Sequence, residues 1–189
     1  IVLETDFEAP YDSLIVLESE ENKLWFKFLG KENDYQKKLN ELELEVDYYQ
    51  AKSNSQVEFR DKAIEKANEF NQLQMERDMM IAGMLKDSKD MFAAKLIRLY
   101  REPFRDGYLG KSERRKSYQE EYFKYVDYTD ESIINSNVLT DKIFNFLVTF
   151  NEKGFTAEQR EKAYIKAVNM ILSDLRGNIS LTRGENLNT

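Results

Sequence analysis

Residues Tyr122–Leu147 read YFKYVDYTDESIINSNVLTDKIFNFL, and the order of residue types within them decides the fold. An aromatic helix end carrying Tyr122, Phe123 and Tyr125 runs into an acidic turn, and an apolar helix leaves it. Thr129 or Asp130 is placed to cap a short helical turn over 131–135, because a short oxygen-bearing side chain there accepts from otherwise unpaired amides. Thr140 and Asp141 fall in the first turn of the next helix, predicted over about 138–152. Leu139, Ile143, Phe146 and Phe150 recur at helical spacing, with Phe144 and Leu147 widening the stripe, so this is expected to be the most buried helix.

Working outward, Gly154 closes that helix and Thr156 with Gln159 forms a capping box for a last one, expected to stop at Gly177. Residues 177–189 then read as a polar tail or linker. On the other side, Ser112 opens a helix to about Tyr125 that places Tyr118, Tyr122 and Tyr125 on one face. Before it, SKDMFAAKLIRLYRE (88–102) carries a Phe92, Leu96, Leu99 stripe, is capped by Ser88 and is ended by Pro103. Further back, Phe28, Tyr35, Leu39, Leu42, Val46 and Tyr49 form a heptad-like seam on a helix starting after Ser19, with a bend expected near Gly30. The polar break Ser53, Asn54, Ser55 separates it from a second long helix over about 57–85, and so short a break predicts an antiparallel hairpin. Along that second helix Ala63, Ala67, Phe70, Leu73 and Arg77 share a side. Met75, Met79, Met80 and Met84 are expected to fill core gaps, an adaptable binding surface being the alternative.

At the N-terminus Ile1–Leu3 and Leu14–Leu17, separated by Pro10, read as two short strands. Two strands alone make no stable sheet, so 1–18 is expected to be the end of a preceding β-rich domain, 19–176 a helical domain, and the chain a piece of a longer polypeptide. The fold class is mainly α: an antiparallel helical bundle with a long helical hairpin, plus a short β or extended segment at the N-terminus. Only seven glycines and two prolines in 189 residues leave long helices uninterrupted.

The chain has no cysteine and no histidine, which removes thiol chemistry, the usual general base and the commonest zinc ligand. No cofactor is expected. A net charge of −7 repels phosphate backbones. The basic cluster Lys111, Arg114, Arg115, Lys116 beside Tyr108 and Tyr118 is neutralised locally by Glu113, Glu120 and Glu121, so no nucleic acid is expected. No apolar run approaches the roughly 18 residues that span a bilayer. Asp127, Asp130, Glu131 and Asp141 lack the spacing and the glycine of a calcium loop, and capping explains them better. Glu20 with Glu21 and Glu120 with Glu121 are neighbours on helices, so each pair points apart rather than toward one substrate atom. No catalytic residue is therefore assigned. Aromatics at this spacing are core in the first instance; as a functional alternative, Tyr118, Tyr122, Tyr125 and Tyr128 make a docking surface.

The stretch quoted first resembles the helical region of thioredoxin-like proteins of the TlpA/ResA type from Gram-negative gut bacteria. The likeness lies in the aromatic pair Tyr122 and Phe123, the turn at Val126 and Asp127, the capped helix of Asp130–Ile134, and the helix from Leu139. SEENKLWFKFL (Ser19–Leu29) and MFAAKLIRLYREP (Met91–Pro103) are similar to the first and middle helices of that region. The resemblance spans about Ser19–Arg176. It implies a non-catalytic spacer, docking or substrate-recognition module of an exported thiol:disulfide oxidoreductase, in the periplasm or cell envelope. Its implied partners are a thioredoxin-like domain in cis and protein substrates. The two-cysteine redox motif of that family is absent from this chain, so no catalytic residue carries over. The reading from another class is a stand-alone helical protein–protein interaction domain without a redox role.

Overall fold

Ser19 Oγ accepts the Asn22 amide at 3.2 Å, and the acidic Glu20 and Glu21 suit the positive end of a helix. The first helix, α1, accordingly begins at Glu20 and runs unbroken through Gly30 to Ser53. The helix does not break at Gly30, because one glycine costs a helix interior only about 1 kcal/mol. The structure, a computed structural model, describes residues 2–6, 8, 15–53, 55–86 and 88–185. Ile1, Pro10, Leu14 and Asn54 lie outside the described residues. Strands β1 (Val2–Glu4) and β2 (Ile15–Glu18) pair antiparallel, Val2 facing Glu18 and Glu4 facing Ile15.

A 3₁₀ turn over Val57–Phe59 leads into α2 (Arg60–Lys86). Glu45 pairs with Lys66 and Glu32 with Arg77, so rising numbers on α1 meet falling numbers on α2, and the two form the antiparallel hairpin. Leu39, Val46 and Phe70 pack toward its turn; Phe28, Ile81 and Ile97 pack toward its open end with Trp25, Met80, Met84 and Tyr100. The seam reads as expected at Phe28, Leu39 and Val46, with one substitution of character. Its fourth fully buried α1 position is Glu32, a carboxylate one heptad before Leu39.

Helix α3 covers Phe92–Leu99, starting later than Ser88 predicts. Its first amides are capped from another helix: Glu21 accepts from Phe92 N at 2.9 Å and Ala93 N at 2.7 Å. Ala93, Ala94 and Ile97 face inward and Phe92 outward, a rotation of the expected stripe that lets α3 sit close against the hairpin. The irregular segment 100–110 is held by amide side chains of the hairpin. Gln74 exchanges two 2.8 Å hydrogen bonds with the Arg105 backbone, and Gln50 donates to the Gly107 carbonyl at 2.7 Å. At Gly107 a Cβ would stand 2.9 Å from the Ala67 carbonyl oxygen, so only glycine allows this approach.

Helices α4 (Lys111–Glu121), α5 (Glu131–Ile134), α6 (Asn137–Val148) and α7 (Ala157–Glu185) complete the chain. Asp130 caps α5 through Ser132 N at 3.1 Å, as expected, and Ser136 caps α6 through Leu139 N. Thr156 and Gln159 make the reciprocal bonds of the capping box. Tyr122, Phe123, Val126, Ile133, Leu139, Phe146, Phe150 and Ala167 form the largest cluster together with Leu99. Two expectations are corrected here. Helix α6 ends at Val148 with Phe144 and Val148 exposed, because Phe144 lies about 200° around the helix from Phe146. Helix α7 passes through Gly177 to Glu185 instead of stopping; among the described residues the glycine with positive φ is Gly154, at 97°. The expected tail thus continues as helix to Glu185, and 186–189 lie outside the described residues.

Candidate functional site

The hairpin carries a continuous row of charge. Arg77 donates to both oxygens of Glu32, at 2.7 and 2.9 Å, and to the Tyr100 carbonyl at 2.7 Å. Glu102 lies 3.7 Å from Arg77 and 3.9 Å from Arg105, and accepts from the Tyr118 hydroxyl at 3.1 Å. Arg105 reaches Glu43 at 2.6 Å, Arg114 bridges Glu43 and Asp47, and Lys111 pairs with Asp47 at 2.6 Å. Burial works against the Arg77 charge, yet the hydrogen bonds it donates to Glu32 and the charge of Glu102 hold its pKa above the ordinary value. This row fixes 101–105 against α2.

A groove of about 470 Å³ opens beside it. Met75 and Met79 from α2, Phe104 and Pro103 from the opposite wall, and Tyr125 at one end supply its apolar surface. Met75 is 53% exposed, Met79 65% and Phe104 49%. Asp78, on the groove wall, accepts a two-pronged ion pair from Arg101 at 2.8 and 2.9 Å. The methionines thus divide. Met80 and Met84 pack in the core as expected, whereas Met75 and Met79 do not, since they occupy the face of α2 turned away from α1.

The four tyrosines do not share one open face. Tyr122 is 3% exposed and stacks on Tyr118, Phe123 and Phe146. Burial first, and the nearby Glu102 charge second, raise the Tyr118 and Tyr122 phenols above the ordinary range. Tyr128 is half-buried; burial and the facing Asp174 carboxylate raise its phenol too. Tyr125, under the Arg101 guanidinium at 4.3 Å, is the member that reaches the groove. Its partners in the docking-surface reading are packed: Tyr122, just after α4, is buried in the core around Phe146, and Tyr118 and Tyr128 pack against that core.

The basic cluster is used up internally. Arg114 is fully buried against Glu43 and Asp47, Arg115 pairs with Glu152, and Lys116 lies 3.8 Å from Glu120. Of the acidic residues, Asp127 accepts from Thr129, and Asp130 caps α5 while pairing with Lys95 at 2.9 Å. Hydrogen bonds from Ser132 and Lys95 lower the Asp130 pKa to about 2. Among the described residues no group of three or more His, Cys, Asp or Glu could hold a metal ion. No described helix is long and apolar enough to cross a membrane.

Besides Glu32, a second buried charged residue was not legible as such in the sequence. Lys142 of α6 is 6% exposed, donates to the Arg101 carbonyl at 3.1 Å and lies 4.7 Å from the Tyr122 ring centre. Burial lowers its pKa to about 8, against the raising effect of Glu102, with Arg77 adding to the depression. It lines a second cavity of about 260 Å³ with Glu102, Asp141 and Asn145. Its place between Leu139 and Phe146 on the buried stripe was the available signal.

Compared with protein-family models, curated proteins and solved structures, the chain matches none.

Proposed function

We propose that this chain is a non-catalytic helical docking module whose groove between α2 and 101–105 receives an apolar stretch of another polypeptide. The observation that carries this reading is the exposure of Met75, Met79 and Phe104 around one cavity, on walls held by the buried Glu32–Arg77 pair and the partly buried Glu43–Arg105 pair. Unbranched thioether side chains adapt to varied apolar partners, and fixed walls reduce the ordering that binding requires. The TlpA/ResA-type resemblance supplies the context: an exported thioredoxin-like thiol:disulfide oxidoreductase, with the thioredoxin-like domain in cis and protein substrates as the molecules docked. The periplasm or cell envelope is the corresponding location.

The test has two parts. Binding of the parent protein's thioredoxin-like domain, added in trans, is measured by titration calorimetry against this chain and its Met79→Asp and Phe104→Asp variants. Each variant is expected to weaken binding at least tenfold while circular dichroism stays unchanged; equal affinity for all three proteins removes the groove from the reading. The parent reading frame is then inspected for a signal sequence and a downstream cysteine pair. Their absence leaves the alternative, an interaction domain without a redox role.

A further inference from the structure

A lysine buried to 6% exposure ordinarily has a carboxylate against it, because an unpaired buried ammonium is costly. No ion pair within 4 Å is formed by Lys142 among the described residues. Its ammonium has three donors, and one finds the Arg101 carbonyl. The side chain lines a cavity of about 260 Å³ whose apolar walls are Leu99, Val138, Phe144 and the Tyr122 ring. Glu102 and Asp141 line the same space, so a single cation there meets two carboxylates and an anionic ligand is disfavoured. A neutral ligand that uses the amine through its lone pair satisfies both facts.

We propose that Lys142 is a nucleophilic amine that condenses with a small neutral carbonyl compound, an aldehyde above all, in the cavity between α6 and the end of α3. The nitrogen lone pair forms a C–N bond to the carbonyl carbon, and a proton moves from nitrogen to the former carbonyl oxygen, giving a carbinolamine. A proton taken up from solvent by that hydroxyl lets the C–O bond break. One water leaves, an iminium remains, and no oxidant or reductant is consumed. Desolvation in an apolar cavity favours this chemistry by leaving a larger share of the amine unprotonated near neutral pH. The charged and titratable groups around the amine are Glu102, Arg101 and Tyr100 from the end of α3, Arg77 from α2, Tyr122 after α4 and Asp141 on α6. Burial outweighs their combined effect and leaves the amine with a pKa of about 8. The cavity adjoins the groove, with Glu102 lining both, but its chemistry does not rest on the docking function.

The experiment incubates the intact chain with propionaldehyde and cyanoborohydride, which fixes the iminium as a secondary amine, and maps the modified lysines by peptide mass spectrometry over pH 6–10. Lys142 is expected to be modified at least tenfold faster than the exposed Lys116 and Lys162 at pH 7.5, with its rate half-maximal near pH 8. A rate equal to or below that of the exposed lysines overturns the proposal, as does a half-maximal pH near 10. Lys142→Arg, with folding checked by circular dichroism, is expected to abolish the fast phase; a fast phase that persists assigns it to another amine and also overturns it.

Discussion

The hairpin and the C-terminal helices solve the same packing problem by different means. Between α1 and α2 two small apolar clusters flank the buried Glu32–Arg77 pair, and a row of guanidinium and carboxylate groups carries the contact on to α4. Around α6 the core is aromatic: Tyr122, Phe123, Phe146 and Phe150 lie with ring centres 4.9–5.1 Å apart in successive tilted and edge-on contacts. An ionic seam admits one register, since a shift of a turn would strand a buried charge. An aromatic core tolerates more rearrangement and yields more apolar burial per residue. The difference suits the docking role proposed above, because the groove borders the seam whose ion pairs hold its walls.

The contrast breaks most sharply at Phe146, fully buried at the centre of the aromatic core. Phe146→Ala is expected to cost about 4 kcal/mol, read from urea unfolding midpoints. On the seam, Arg77→Met alone is expected to cost about 3 kcal/mol by leaving Glu32 buried without its partner. Adding Glu32→Leu should return most of that loss, a recovery no second substitution beside Phe146→Ala would give. If the double variant is as unstable as the single one, the seam contributes attraction and not merely register.

Lys142 sharpens the comparison, because there a cation from the aromatic side meets the end of the seam. Its folded pKa, about 8, lies below the ordinary 10.5. Below pH 8 folded and unfolded chains both hold the proton and the fold bears the buried charge. Between 8 and 10.5 the unfolded chain alone keeps it, so stability rises with pH by on the order of 2 kcal/mol. The raised phenols of Tyr118, Tyr122 and Tyr128 act oppositely above pH 10, where unfolded tyrosines ionise first. Urea midpoints at pH 7 and 9.5 should therefore differ for the native chain and much less for Lys142→Met. The smallest effect is at a cap: Ser136→Ala, which frees the Leu139 amide, should cost about 1 kcal/mol in thermal unfolding and leave the seam untouched.

Local chemistry was legible in the sequence wherever it is settled within a few residues. Ser19, Asp130 and the Thr156–Gln159 box announce helix starts through bonds to amides two or three positions away. The short break after Ser53 dictates a hairpin because two long apolar helices have no other way to cover each other. What failed depends on distant partners. Glu32 looks like any solvated glutamate until Arg77, 45 residues on, is seen to reach it. The start of α3 is set by Glu21 rather than by Ser88 beside it. The groove was half visible: Met75 and Met79 fall on a different face from Met80 and Met84 by helical rotation alone, but nothing local said that Phe104 would stand opposite.

The Glu21 cap has a kinetic consequence. It joins the first turn of α1 to the first turn of α3, whereas the hairpin's own turn lies at the far end of α1 and α2. Forming it needs the hairpin zipped along its whole length, so α3, an eight-residue helix too short to persist alone, acquires its start only at that moment. Loop-closure entropy thus orders assembly from the hairpin turn outward, with α3 last. The amide protons of Phe92 and Ala93 become reporters of that order: their hydrogen exchange should require opening of the hairpin's free end and should run ahead of exchange at Phe70, deep beside the turn.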